Sequence, residues 1–225
     1  TFTWINPVHE TVRLEPVIYD SDIEIQHLPQ KMHGKRDFKI FLRSYEKNGM
    51  LPKNITTMYA KELLKCGTPE DFANAAPFFE RLYQQMPNEE PTCVLARYYR
   101  QREQYDKFFS VALKNVAQDG YSEVCCELGA YYLSKKDYEE AILWYYNAAF
   151  ETQAVLDIET NGVIPLAGLA KCYDAWADAK EATLQSLPAG SRGHFTADTD
   201  TIASLREQAE SYRKQAEEWM LPHTI

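Results

Sequence analysis

The spacing of apolar residues along this chain changes once, near residue 36. Before that point, residues 1–14 carry Phe2, Trp4, Ile5, Val8, Val12 and Leu14 in a β-rich mix. Residues 18–25 alternate in a similar way around Asp20-Ser21-Asp22. Two short strands are expected, with Pro7 placing the first at an edge or interrupting it, and the polar residues 30–36 as a connector. From Asp37 onward the period is helical. Phe38, Phe41, Leu42 and Tyr45 fall at i, i+3, i+4 and i+7, Asp37 can cap the start, and Gly49 can end the helix in a left-handed turn. Thr68-Pro69 supplies another cap and first-turn proline, Gly67 and Gly120 end helices, and Asp137-x-x-Glu140 resembles a capping box. Helices are predicted at 38–48, 55–66, 69–86, 90–102, 105–118, 121–134, 138–152, 163–185 and 199–220, the 163–185 helix being long enough to break near Ala177-Asp178.

Helices of such even length joined by short turns suggest a repeat. Aligning Tyr59-Ala60-x-x-Leu63, Leu95-Ala96-x-x-Tyr99, Leu128-Gly129-x-x-Tyr132 and Leu169-Ala170-x-x-Tyr173 gives offsets of 36, 33 and 41 residues. That is a period of roughly 34 with loop insertions. The third copy is the clearest: Leu128, Gly129, Tyr132, Ala141, Tyr145 and Ala148 stand where the tetratricopeptide (TPR) pattern has Leu, small, Tyr, Ala, aromatic and Ala. Small residues at Ala60, Ala96, Gly129 and Ala170 let the helices of a pair approach closely. The first copy continues through Ala75, Phe79 and Pro87, while the second departs from the pattern at Phe108. The chain therefore resembles a TPR-like α-solenoid. The resemblance implies a mainly α fold of antiparallel helix pairs over residues 36–198, a β-strand remnant over 1–35 and a capping helix over 199–225. In such a stack Tyr59, Leu95, Leu128, Tyr132, Leu169 and Tyr173 are expected to be buried. The 199–220 stripe of Ile202, Leu205, Ala209, Tyr212, Ala216 and Trp219 suits a helix closing the end of the stack.

Composition narrows the class. With 45% hydrophobic and 25% charged residues the chain can fill a core. A net charge of −9 disfavours nucleic acid as a partner. No run is long and apolar enough for a membrane span. The five cysteines, Cys66, Cys93, Cys125, Cys126 and Cys172, form no Cys-x-x-Cys spacing and read as free thiols in a cytoplasmic protein. The chain starts without Met, as expected of a piece of a longer protein.

No complete catalytic constellation appears: there is no His-x-x-x-His, Gly-rich phosphate loop, Gly-x-Ser-x-Gly or Asp-x-Asp. The carboxylates of Asp198 and Asp200, and of Asp20 and Asp22, suit turns and caps. One motif differs. Trp4-Ile5-Asn6-Pro7-Val8-His9-Glu10, followed by Ile23-Glu24-Ile25-Gln26-His27, resembles the end of the catalytic domain of family 2 glycosyltransferases, whose bacterial members often continue into a TPR region. The resemblance implies a parent enzyme that transfers sugar from a nucleotide sugar, with His9 helping to bind a divalent cation such as Mg or Mn. The chain itself needs no cofactor on this reading, because the family's other metal ligands and its catalytic base have no counterpart here. The region would then recognise a protein or peptide acceptor, or hold a homodimer together. The alternative is a free-standing TPR adaptor.

In a TPR stack, positions one and four residues after each small marker line the concave face. Here they are Lys61, Arg97, Ala130 and Lys171, then Leu64, Arg100, Leu133 and Asp174. Lys61, Arg97, Arg100 and Lys171 thus form a candidate binding groove for a carboxylate-bearing or otherwise acidic peptide.

Overall fold

The computed structural model describes residues 34–118, 120–186 and 196–220, with side chains described from residue 37 and, in the last helix, from residue 201. The expected strands at 1–35, and with them His9, lie outside the described residues apart from the first two residues of α1. Everything described is helix and connection. The helices are α1 (Gly34–Asn48), α2 (Lys53–Cys66), α3 (Pro69–Gln85), α4 (Glu89–Gln101), α5 (Tyr105–Val116), α6 (Ser122–Ser134), α7 (Tyr138–Tyr146), α8 (Val163–Ser186) and α9 (Thr196–Met220). A π-helical turn, Asn147–Glu151, extends α7, and a 3-10 turn, Ile158–Asn161, precedes α8. None of these helices is long and apolar enough to cross a membrane.

Local signals account for most boundaries. Thr68 accepts from the Asp71 N–H while Asp71 accepts from the Thr68 N–H, a complete capping box, and Pro69 takes the first position, where its missing N–H is not needed. Asp137 accepts from the Glu140 N–H and starts α7. Gly49 ends α1 at φ 70°, where a side chain would be strained, and its N–H bonds to the Tyr45 carbonyl. Two expectations need correction. The first helix begins at Gly34, so Asp37 lies within its first turn and acts there as a negative charge near the helix N-terminus rather than as the cap. Helix α8 runs unbroken through Ala177-Asp178, because Ala177 is fully buried against Ile202 and Leu205 of α9, which hold that stretch in place.

Packing follows a recurring order: α2 lies against α4, α4 against α6 and α6 against α8. In addition α3 and α5 flank α4, α7 packs on α6 and α8, and α9 covers α8. The small markers Ala60, Ala96, Gly129 and Ala170 are all buried. The Tyr145 ring shows why the positions must be small. A Cβ on Gly129 would stand 2.8 Å from one edge of that ring, and a Cβ on Gly168 would stand 2.6 Å from the other. The ring is thus gripped between α6 and α8 by two glycine backbones. Tyr59, Leu95, Leu128 and Leu169 are buried as expected; each leucine stabilises by about 1.5–3 kcal/mol of apolar transfer, whereas the Tyr59 ring's gain is reduced by a buried hydroxyl that finds no partner among the described residues. Tyr132 and Tyr173 are only half-buried. Tyr173 instead lies at the seam with α9, where it stacks on Tyr212 at 5.7 Å. Phe108, the departure from the small-residue pattern, is fully buried and packs its ring on Phe109 and Tyr131.

Candidate functional site

The predicted basic positions separate into two kinds. Lys61 and Lys171 are exposed. Arg97 and Arg100 are drawn inward from α4 onto one carboxylate of α6: Arg97 Nε and Arg100 Nε donate to the two oxygens of Glu127, both at 2.5 Å. Arg97 Nη1 also donates to the Leu64 carbonyl at 2.6 Å, satisfying an acceptor in the last turn of α2. One guanidinium therefore links three helices that pack in succession. Burial alone would push the Glu127 carboxyl up, but Arg97 and Arg100 more than offset it and hold the group below the ordinary glutamate range. An incoming carboxylate meets two arginines that already have one. Asp174, another position on the expected groove, is likewise engaged by Arg206 and Arg213 of α9 at 3.2 and 2.7 Å.

Two further glutamates are buried in this layer, one in the first turn of α4 and one in the first turn of α6, 33 residues apart and so equivalent in the repeat. Glu90 is held from α2: Lys53 Nζ donates to it at 2.8 Å, and Thr57 Oγ1 donates to its other oxygen. Aligned on the small markers, Glu89 and Cys93 of α4 take the places of Lys53 and Thr57, so Glu123 cannot be satisfied in the same way. It accepts instead from three consecutive backbone N–H groups, those of Val155, Leu156 and Asp157, at 3.0, 2.7 and 2.9 Å.

Those amides belong to residues 152–162, the stretch that lengthens the last repeat offset from 33 to 41. This stretch folds back as a strap on the start of α6. Its backbone pairs alongside Tyr121 at Gln153, and Leu156 enters the same core as Val94 and Leu128. Asn161 fastens it internally, accepting from the Ala154 N–H and donating to the carbonyls of Ala148 and Thr152. The Thr160 hydroxyl donates to the Asp157 carbonyl, so Ser122 is the donor in its 2.7 Å contact with Thr160. Asp157 adds negative charge near Arg97. Sequence reasoning registered the longer offset as an insertion but missed what it does, and it missed the buried acids because a first-turn glutamate ordinarily reads as a solvated helix-dipole charge.

The four buried thiols are weak nucleophiles. Burial pushes the Cys93 and Cys126 thiols well up, and takes Cys125 to about 11 and Cys172 to about 12, so these groups stay protonated at neutral pH. Among the described residues no three His, Cys, Asp or Glu side chains stand close enough to hold a metal ion. His9, the residue that the glycosyltransferase resemblance assigns to a divalent cation, lies outside the described residues.

A further concavity lies elsewhere among the described residues. It is a cavity of about 310 Å³ between the α1–α2 turn, α3 and the α3–α4 turn, floored by Tyr45, Leu51, Phe78 and Leu82. Comparison with protein-family models, curated proteins and solved structures finds no match to this chain.

Proposed function

We propose that this chain is a binding and scaffolding unit, a TPR-like α-solenoid of antiparallel helix pairs that recognises a protein or peptide acceptor or joins two copies of its parent. The observation that carries this is the alternate-helix packing of α2, α4, α6 and α8, with a buried small residue at the equivalent position of each helix. A stack of that kind buries its apolar faces only between neighbours and leaves long exposed flanks, an arrangement suited to docking rather than to enclosing a reaction. The fully paired acids and inert thiols of the inner layer favour the same reading.

The proposed parent is a family 2 glycosyltransferase acting in the cytoplasm, with residues 1–35 closing its catalytic domain and the helices delivering the acceptor. The support is the Val8-His9-Glu10 motif standing directly ahead of the repeats. The test removes residues 36–225 from the parent and follows two activities. Hydrolysis of the nucleotide sugar should persist, while transfer to a protein acceptor should fall to background. Undiminished transfer would remove the acceptor role, and a parent with no nucleotide-sugar activity would remove the enzyme reading.

A further inference from the structure

We infer that the cavity at the α1–α2 and α3–α4 turns binds a small amphipathic carboxylic acid, with its apolar body between Tyr45, Phe78 and Leu82 and its carboxylate on Arg81 and Gln85. The inference stands on the cavity alone and goes beyond the scaffold reading.

Its size comes first. About 310 Å³ equals the liquid volume of roughly ten waters, which suits a ligand of about ten non-hydrogen atoms. The floor is apolar and partly aromatic, the Tyr45 and Phe78 rings meeting at 4.8 Å, so water there is poorly bonded and an apolar group displaces it at a gain.

Charge comes second. In a chain with 33 acidic against 24 basic residues, the charged side chains lining this cavity among the described residues are Lys53 and Arg81, with no carboxylate beside them. Lys53 is neutralised by Glu90 and Glu89 at 2.8 and 3.6 Å, and Thr56 has already given its hydroxyl hydrogen to the Pro52 carbonyl. Among the described residues Arg81 has no such partner. It lines the mouth of the cavity from α3, with Gln85 one helical turn further on, so a fork of N–H donors and an amide donor lie on one edge of an apolar space. That pairing fits a carboxylate attached to a hydrocarbon; an ammonium head would be repelled, and an alcohol, although it could donate to the buried Asn88 Oδ1, would leave the exposed Arg81 to water and forgo the charge-assisted bond.

The rim comes third. Met50 and Met86 flank the opening and are 70% and 57% exposed. Flexible thioether side chains in that position can fold over ligands of varied shape.

Octanoate, octan-1-ol and octyltrimethylammonium differ only in the head group and serve as probes. Each is titrated into the full chain carrying carbon-13-labelled methionine methyls. Octanoate should shift the Met50 and Met86 signals and leave Met220 still, binding at least tenfold more tightly than the alcohol, and the ammonium should not bind. Arg81→Gln, an exposed substitution that leaves the core untouched, should weaken octanoate about tenfold without changing octanol, and Arg81→Lys should recover part of the loss. Equal binding of the three head groups, octanoate affinity unchanged in Arg81→Gln, or Met50 and Met86 signals unmoved by octanoate would each overturn the inference.

Discussion

Replacing Glu127 by Gln tests the claim that the two arginines of α4 are structural. The amide keeps the shape of the side chain but removes the charge that faces Arg97 and Arg100 at 2.5 Å on either oxygen. Breaking a fully buried ion pair costs about 3–5 kcal/mol, since the surviving charge is left without a partner. The Arg97 and Arg100 side chains are 17% and 27% exposed, so both can turn partly toward water. That relief lowers the expected loss to about 2–3 kcal/mol. In a chain of this length such a loss moves the melting temperature down by about 4–12 °C. Because the native Glu127 carboxyl is held below its ordinary value, its contribution is present at neutral pH. It is lost as pH falls below about 4.3 and through the native-state value, so wild type and Glu127→Gln should converge in acid. Urea unfolding followed by circular dichroism at pH 7 and in acid measures both effects. The triple replacement Glu127→Leu, Arg97→Met, Arg100→Leu removes all three charges together and should be less destabilised than the single change. A loss under about 0.5 kcal/mol for Glu127→Gln, or a triple variant as unstable as the single, would refute the reasoning.

Glu123→Ala should free the three amides of the strap, so hydrogen exchange at Val155, Leu156 and Asp157 should rise well above wild type while α4 stays protected; unchanged exchange there would mean that the carboxylate does not hold the strap. Gly129→Ala, which in an unconstrained helix would stabilise, should instead destabilise by about 1–2 kcal/mol, because its methyl meets the Tyr145 ring, and Tyr145→Leu in the same chain should recover part of the loss. Labelling of the native protein with Ellman's reagent at pH 8 should be fast at no more than one thiol, the half-buried Cys66; five fast thiols would contradict the burial of the other four.

The helices were legible because their cues are local. Period, capping residues and terminating glycines all act within a few positions, and the boundaries fall close to the predicted ones. The cap at Asp37 was misplaced because residues 30–36 read as connector, whereas α1 starts at Gly34. The break expected in α8 did not occur because a contact from α9, far along the chain, outweighs the weak local signal at Ala177-Asp178. The candidate groove shows the same limit more sharply. Arg97 and Arg100 share one face of α4, but their partner Glu127 lies about 30 residues away, and nothing in single-sequence periodicity says that two cations and an acid will share one desolvated point. Tyr145 between Gly129 and Gly168 was half visible, since Gly129 belongs to the repeat pattern and Gly168 does not.

Glu90 and Glu123 set the limit on how freely copies of the repeat could be exchanged. Each is buried at the same position of its helix, and an unsatisfied carboxylate there would cost several kcal/mol. The copy containing Glu90 is completed by the preceding helix through Lys53 and Thr57. The copy containing Glu123 has no such neighbour and is completed from the other side, by the backbone of the following insertion. Shortening the strap to restore a regular offset would therefore strand Glu123 unless a Lys and a Thr were placed in α4 at the positions of Glu89 and Cys93. The inner layer is closed by the chain's own groups, so attraction of the proposed acidic partner would fall to exposed cations such as Lys61 and Lys171. Those act through water and over a Debye length of about 10 Å at 0.1 M salt, which makes them suited to steering a partner toward the stack rather than to fixing its bound geometry.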